Sequence, residues 1–98
     1  ENVRESSTIV IPYKKGEFMP SYHCFDASGK IWALTMEKGE AHPSIKAFEK
    51  KDNKWQFATH FYPENPGFSL TRSLAVSNSG ILAYSDANTK TIDLYKLG

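Results

Sequence analysis

The feature that most constrains this chain is a phrase written twice. "FDASGKIWAL", from Phe25 to Leu34, aligns with "VSNSGILAYS", from Val76 to Ser85, when Gly29 is set on Gly80, an offset of 51 residues. Cys24, Phe25 and Asp26 then fall on Ala75, Val76 and Ser77, Ser28 on Ser79, and Ile31 and Trp32 on Leu82 and Ala83. The next segment aligns at an offset of 47, which sets Ile45, Ala47 and Phe48 on Ile92, Leu94 and Tyr95. The offset shortens because the first copy carries a longer loop, "EKGEAHP", from Glu37 to Pro43. A chain that repeats itself at this period builds one supersecondary unit several times over. Each unit has an apolar face that only a neighbouring unit can bury.

Each unit reads as short strands joined by turns. In the first copy the pattern predicts strands over Ser21–Asp26, Ile31–Met36, Ser44–Lys50 and Lys54–Tyr62. "SG" at Ser28–Gly29 predicts a tight turn, because glycine accepts the positive φ such turns need. "KDNK" predicts a hairpin centred on Asp52 and Asn53. In the last strand Trp55, Phe57, Thr59 and Phe61 alternate with Gln56, Ala58, His60 and Tyr62, so two unlike faces are expected. The second copy predicts strands over Ser73–Ser77, Gly80–Tyr84 and Thr91–Leu97, with no fourth strand before Gly98. "STIVIPY", ahead of the first copy, supplies an eighth. "PSIKAFEKK" also has helical spacing, with Ser44 as N-cap. Its match to "TIDLYKL", rich in β-branched and aromatic residues, favours a strand.

Composition narrows the function classes. The 98 residues are 40% hydrophobic and 23% charged, a globular balance that fits one domain or part of one. Twelve basic residues against eleven acidic give a net charge of +1, not the clustered basic excess of a nucleic-acid surface. Lys46, Lys50, Lys51 and Lys54 form the densest basic stretch, and Glu49 and Asp52 interrupt it, as on a solvated hairpin. No apolar run approaches the ~20 residues that span a bilayer. Cys24 is the single cysteine, so no internal disulfide frames the fold. That leans toward a reducing, intracellular compartment.

The second copy, "LAVSNSGILAYSDANTKTIDLYKLG", resembles a blade of a β-propeller protein, and "FDASGKIWAL" looks like the same element. The pattern is similar to WD40, NHL-type and lactonase-like blades. Where WD40 blades often end in Trp-Asp, this chain has Tyr95-Lys96 and Phe48-Glu49, and it has no Gly-His pair. The resemblance implies an all-β fold of two four-stranded antiparallel blades within a larger or multi-chain propeller. Residues 1–20 would complete a neighbouring blade, 21–62 would form the first blade, and 63–98 a second blade short of one strand. Propellers have four to eight blades, so the remaining blades would come from the same parent protein or from identical chains. Three copies would make six blades.

On that plan the longer loops, at Tyr13–Met19, Glu37–Pro43, Pro63–Ser69 and Ser85–Lys90, share one end, and the tight turns share the other. Rigidly held loops are where binding resides. The contact residues this implies are Lys14, Lys15, Glu40, His42, Tyr62, Glu64 and Arg72, facing a protein partner. The function it implies is a noncatalytic scaffold without a cofactor, and the chain leans away from catalysis. The alternatives are a carbohydrate-binding lectin that forms a ring from several copies, and part of a lactonase-like hydrolytic propeller. In the last case Asp86 and Asn88, in "SDANTK", would be calcium ligands, although Asp and Asn also cap turns by themselves. The three histidines, His23, His42 and His60, are 19 and 18 residues apart with no second cysteine, which does not match a zinc site. "SGK" at Ser28–Lys30 lacks the spacing of a phosphate loop. Cys24 and His23 are adjacent on a strand, so they point to opposite faces and cannot pair as nucleophile and base.

Overall fold

A computed structural model of the chain describes residues 6–18, 23–37, 43–63, 72–86 and 90–98, and for Phe18, Glu37, Arg72 and Asp86 the backbone alone. These residues form strands and turns, with no helix among them. The strands are β1 (Glu17–Phe18), β2 (His23–Phe25), β3 (Ile31–Glu37), β4 (Ser44–Lys51), β5 (Lys54–Phe61), β6 (Arg72–Val76), β7 (Ile81–Asp86) and β8 (Thr91–Lys96). "PSIKAFEKK" is therefore strand. All ladders are antiparallel. A first sheet runs β2-β3-β4-β5, with β1 on the same edge of β3 as β2, and a second runs β6-β7-β8. Both sheets are open.

The repeat in the sequence is a repeat of ladder register. Cys24 pairs with Trp32 and Phe25 with Ile31; their counterparts Ala75 and Val76 pair with Ala83 and Leu82. Ile31 pairs with Phe48 and Leu34 with Ile45; their counterparts Leu82 and Ser85 pair with Tyr95 and Ile92. The turns match as well. Asp26 N donates to Lys30 O as Ser77 N does to Ile81 O, and Gly29 N and Gly80 N close the same tighter bond inside each turn. Gly29 and Gly80 sit at φ 92° and 84°, the left-handed region that a Cβ disfavours. Asp52 and Asn53 sit at φ 52° and 63°, as both central residues of a type I′ hairpin turn must.

The two copies bury opposite faces. In the first sheet, Trp32, Leu34, Ile45 and Ala47 turn toward the second sheet; there Leu82 and Tyr84 meet them, flanked by Leu74, Val76, Tyr95 and Leu97. Leu82 and Tyr84 are the counterparts of Ile31 and Ala33, which lie on the far face of the first sheet. The packing is therefore front to back. The second sheet's own far face carries Ala75, Ala83, Ile92 and Leu94, and Ile92 and Leu94 are 68% and 67% exposed. Between the sheets β6 lies against β2 and, more lightly, against β3, with no ladder joining them.

One expectation changes. Trp55, Phe57, Thr59 and Phe61 do not share a face. Thr59 stands opposite Ala47 but Phe57 stands opposite Phe48, so Ala58 is an extra residue, a β-bulge. Below the bulge, Trp55 and Phe57 turn to the far face, while Phe61 stays on the core face and stacks on Trp32 and Tyr95. The segment Ser7–Tyr13 forms no ladder in this chain; the edge of β3 is taken by β1 and β2 instead. The segment nevertheless lies over the far face of the first sheet, where the ring of Tyr13 meets that of Phe48 edge-on at 5.4 Å.

Candidate functional site

Of the expected contact residues, the strand topology places Lys14, Lys15, Tyr62 and the backbone of Arg72 at one end. The turn at Lys14–Glu17, closed by Glu17 N donating to Lys14 O, delivers the chain into β1, whose Glu17 pairs with Glu37 at the end of β3. Lys14 and Lys15 are exposed there. Tyr62 follows the last residue of β5, which pairs with Ile45 near the start of β4, so it stands at the same end and is 55% exposed. The rings of Tyr62, His60 and Phe57 form an exposed aromatic row, with centroids 5.6 and 5.8 Å apart. In the second sheet Arg72 pairs with Asp86 at the corresponding end. Glu40, His42, Glu64 and Asn88 lie outside the described residues, as do the side chains of Arg72 and Asp86.

Beneath this end is a buried ion pair that the sequence does not announce. Lys46 and Glu17 are 29 residues apart, and their side chains pair in a site from which water is nearly excluded. Glu17 also accepts from the backbone N of Lys14 at 2.9 Å. Burial opposes the charge on Glu17, but the bonds from Lys46, Lys14 N and Thr35 outweigh it and hold the carboxyl below its ordinary value. Tyr13 beside it is pushed up to about 12, by burial and by the charge of Glu17. These contacts fix the turn that carries Lys14 and Lys15.

The opposite end has its own chemistry. Asp26 Oδ1 accepts from Ser28 N, Ser28 Oγ and Lys30 N, and Oδ2 accepts from Trp32 Nε1 at 2.9 Å. Burial again opposes ionisation, and the bonds from Ser28, Trp32 and Lys30 outweigh it. The counterpart Ser77 does a smaller version of the same work, accepting from Ile81 N. Between the two glycine turns opens a cleft of about 600 Å³, bordered by Asp26, Lys30, Asn78 and Ser79, with Phe61 and Tyr95 facing it. This cleft lies at the end that carries the tight turns, away from the expected contact residues.

Cys24 faces the inter-sheet core and is half-buried. Burial, aided by the charge of Asp26, raises its thiol pKa, so it is a poor nucleophile. Its neighbour His23 points to the other face of β2. Among the described residues, no group of three or more His, Cys, Asp and Glu side chains is placed to hold a metal ion. No family model matches this chain, and comparison with curated proteins and with solved structures returns no match either.

Proposed function

We propose that the chain is a pair of β-propeller-type blades that serves as a noncatalytic scaffold, binding a partner protein at its longer-loop end. One observation carries the reading: two units of identical register pack front to back. A front-to-back interface is heterologous, so the same contact can be repeated by further units or closed into a ring. The second sheet's far face is open to such a unit, with Ile92 and Leu94 exposed, while Ile31, Ala33 and Phe48 on the first sheet's far face are buried within the chain. The N-terminal segment supports the same plan. The ring of Tyr13 meets Phe48 edge-on and that of Phe61 meets Tyr95 at a tilt, and Phe48 and Tyr95 are counterparts. On this reading residues 6–13, which form no ladder in this chain, would lie against the first sheet where a preceding unit's fourth strand would pack.

Recognition at the loop end would rest on the cations Lys14 and Lys15 and the exposed ring of Tyr62, an amphipathic aromatic of the kind that anchors interfaces. A carbohydrate-binding reading has one observation in its favour, the polar-rimmed cleft faced by Phe61 and Tyr95 at the other end. The two are separated by a photo-crosslinking amino acid placed at Tyr62 or, at the tight-turn end, at Asn53. Scaffold function predicts a defined protein adduct from position 62 in extracts of the source cells and none from position 53. No adduct from 62, together with a rise in melting temperature on adding simple sugars, would replace the scaffold with a lectin.

A further inference from the structure

We propose that the edge of β8 left without a ladder among the described residues accepts residues 9–13 of a second copy of this chain as a fourth strand of the second sheet. This rests on the blade reading above and adds the partner and the register.

The acceptor is defined by the ladders. Among the described residues, β4 of the first sheet is paired on both sides, whereas its counterpart β8 in the second is paired with β7 alone. Leu97 N donates to Gly80 O, toward β7. Backbone groups alternate along a strand, so those of Ile92, Leu94 and Lys96 point to the open edge. Their counterparts Ile45, Ala47 and Glu49 are the ones that hold β5. Ile92 and Leu94 also leave their side chains largely exposed. An open edge beside an apolar face is a template for strand addition.

The donor is defined by the same equivalence. Setting Tyr13 on Phe61 puts Tyr13 opposite Ile92 and Ile11 opposite Leu94, as Phe61 stands opposite Ile45 and Thr59 opposite Ala47. In that register the backbone groups of Ile9, Ile11 and Tyr13 face β8, and Tyr13 N exchanges the bond it makes to Ile11 O at 2.9 Å in the single chain for one across the new ladder. Pro12 falls on the alternate parity, where the missing N–H would have pointed to solvent. A proline is tolerated in a strand only there, so the one residue able to forbid the pairing sits where it does no harm. Ile9, Val10 and Ile11 are β-branched, which favours the extended state, and Val10 is 80% exposed. Donation does not require the segment to leave its own sheet. β5 is laddered to β4 while its Phe61 stacks on Tyr95 of the other sheet. In the same way Tyr13 can keep Phe48 while its strand pairs with another copy's β8. The exposed Phe25 on the donor's far face would then meet the acceptor's second sheet.

The test uses the 98-residue chain in sedimentation velocity and amide hydrogen exchange across a concentration series. The expected result is reversible self-association in which the amides of Ile92, Leu94 and Lys96 slow by about tenfold or more as concentration rises. Ile11→Pro removes a ladder donor and Leu94→Lys charges an exposed apolar position; each is expected to give a monomer with freely exchanging β8-edge amides. A chain that stays monomeric throughout, or one whose association survives both substitutions, overturns the proposal. Trp32 emission in a Trp55→Phe background reads the blade packing separately. Blue-shifted emission from a monomer rejects only the second-copy docking, whereas red-shifted emission means the sheets do not pack and rejects the blade reading too.

Discussion

Lys46 is the residue most at odds with its surroundings. It occupies a nearly buried position on β4, between Ala33 and His60 in register, and the Glu17 carboxylate compensates its charge there. Removing one partner of such a pair strands the other, at a cost of about 3–5 kcal/mol, while replacing both with apolar residues is often neutral. Lys46→Met is therefore expected to lower the urea midpoint sharply, and Lys46→Met with Glu17→Leu to recover most of the loss. The pH dependence has two arms. The carboxyl of Glu17 is depressed in the folded chain, so its contribution is present above the ordinary carboxylate value of 4.5 and disappears as pH falls through the folded one. Asp26 adds to the same acid arm. Tyr13 works in the other direction: its contribution is complete below the ordinary value of 10.0 and is lost as pH rises toward about 12. Glu17→Gln should flatten the acid arm in part, and Tyr13→Phe the alkaline arm. Acid loss unchanged in Glu17→Gln would show that this pair does not anchor the N-terminal segment.

At the scale of elements, the turns are where sequence and structure agree best, and the reason is local. Positive φ is written into most of the residues that adopt it, as at Gly29, Gly80, Asp52 and Asn53, although Lys90 takes φ 57° with nothing in its identity to announce it. The type I′ turn at Asp52–Asn53 gives a direct check. Asn53→Gly suits φ 63° better and should raise stability by a few tenths of a kcal/mol, whereas Asn53→Val should lower it by roughly 1–2 kcal/mol, read from thermal melts. If Val were tolerated as well as Gly, the hairpin would not have this geometry. The strands were legible for a similar reason, because their period of two survives in the order of residues. The bulge at Ala58 was not. Aromatic residues lie on both faces of β5, so nothing in "KWQFATHF" marks where the alternation slips, and the slip is set by β4 across the ladder. β1 is two residues long and has no period to read. The Lys46–Glu17 pair and the fourfold acceptor role of Asp26 are products of the folded register, and the sequence gives neither away. Of the expected contact residues, Lys14, Lys15 and Tyr62 converge on one end because strand order alone decides which loops share an end.

The inter-sheet core is shared between the two sheets, and the second sheet would be weak without it. A three-stranded sheet such as β6-β7-β8 gains independent stability only with a covered apolar face, and its covered face is the one carrying Leu82 and Tyr84 against Trp32, Leu34 and Ile45. The second sheet should therefore not unfold on its own terms. Leu82 is fully buried, and Leu82→Ala removes side-chain volume at the centre of the inter-sheet contact, with an expected cost of about 2–5 kcal/mol. Because the core is shared, that cost should appear as one displaced transition. Far-ultraviolet circular dichroism, which sees all eight strands, and Trp32 fluorescence in a Trp55→Phe background, which sees the contact, should move together. Two separated transitions would mean that the first sheet stands without the second. The front-to-back contact would then be an association of independent units, and the case for further units beyond the pair would lose the interface on which it is patterned.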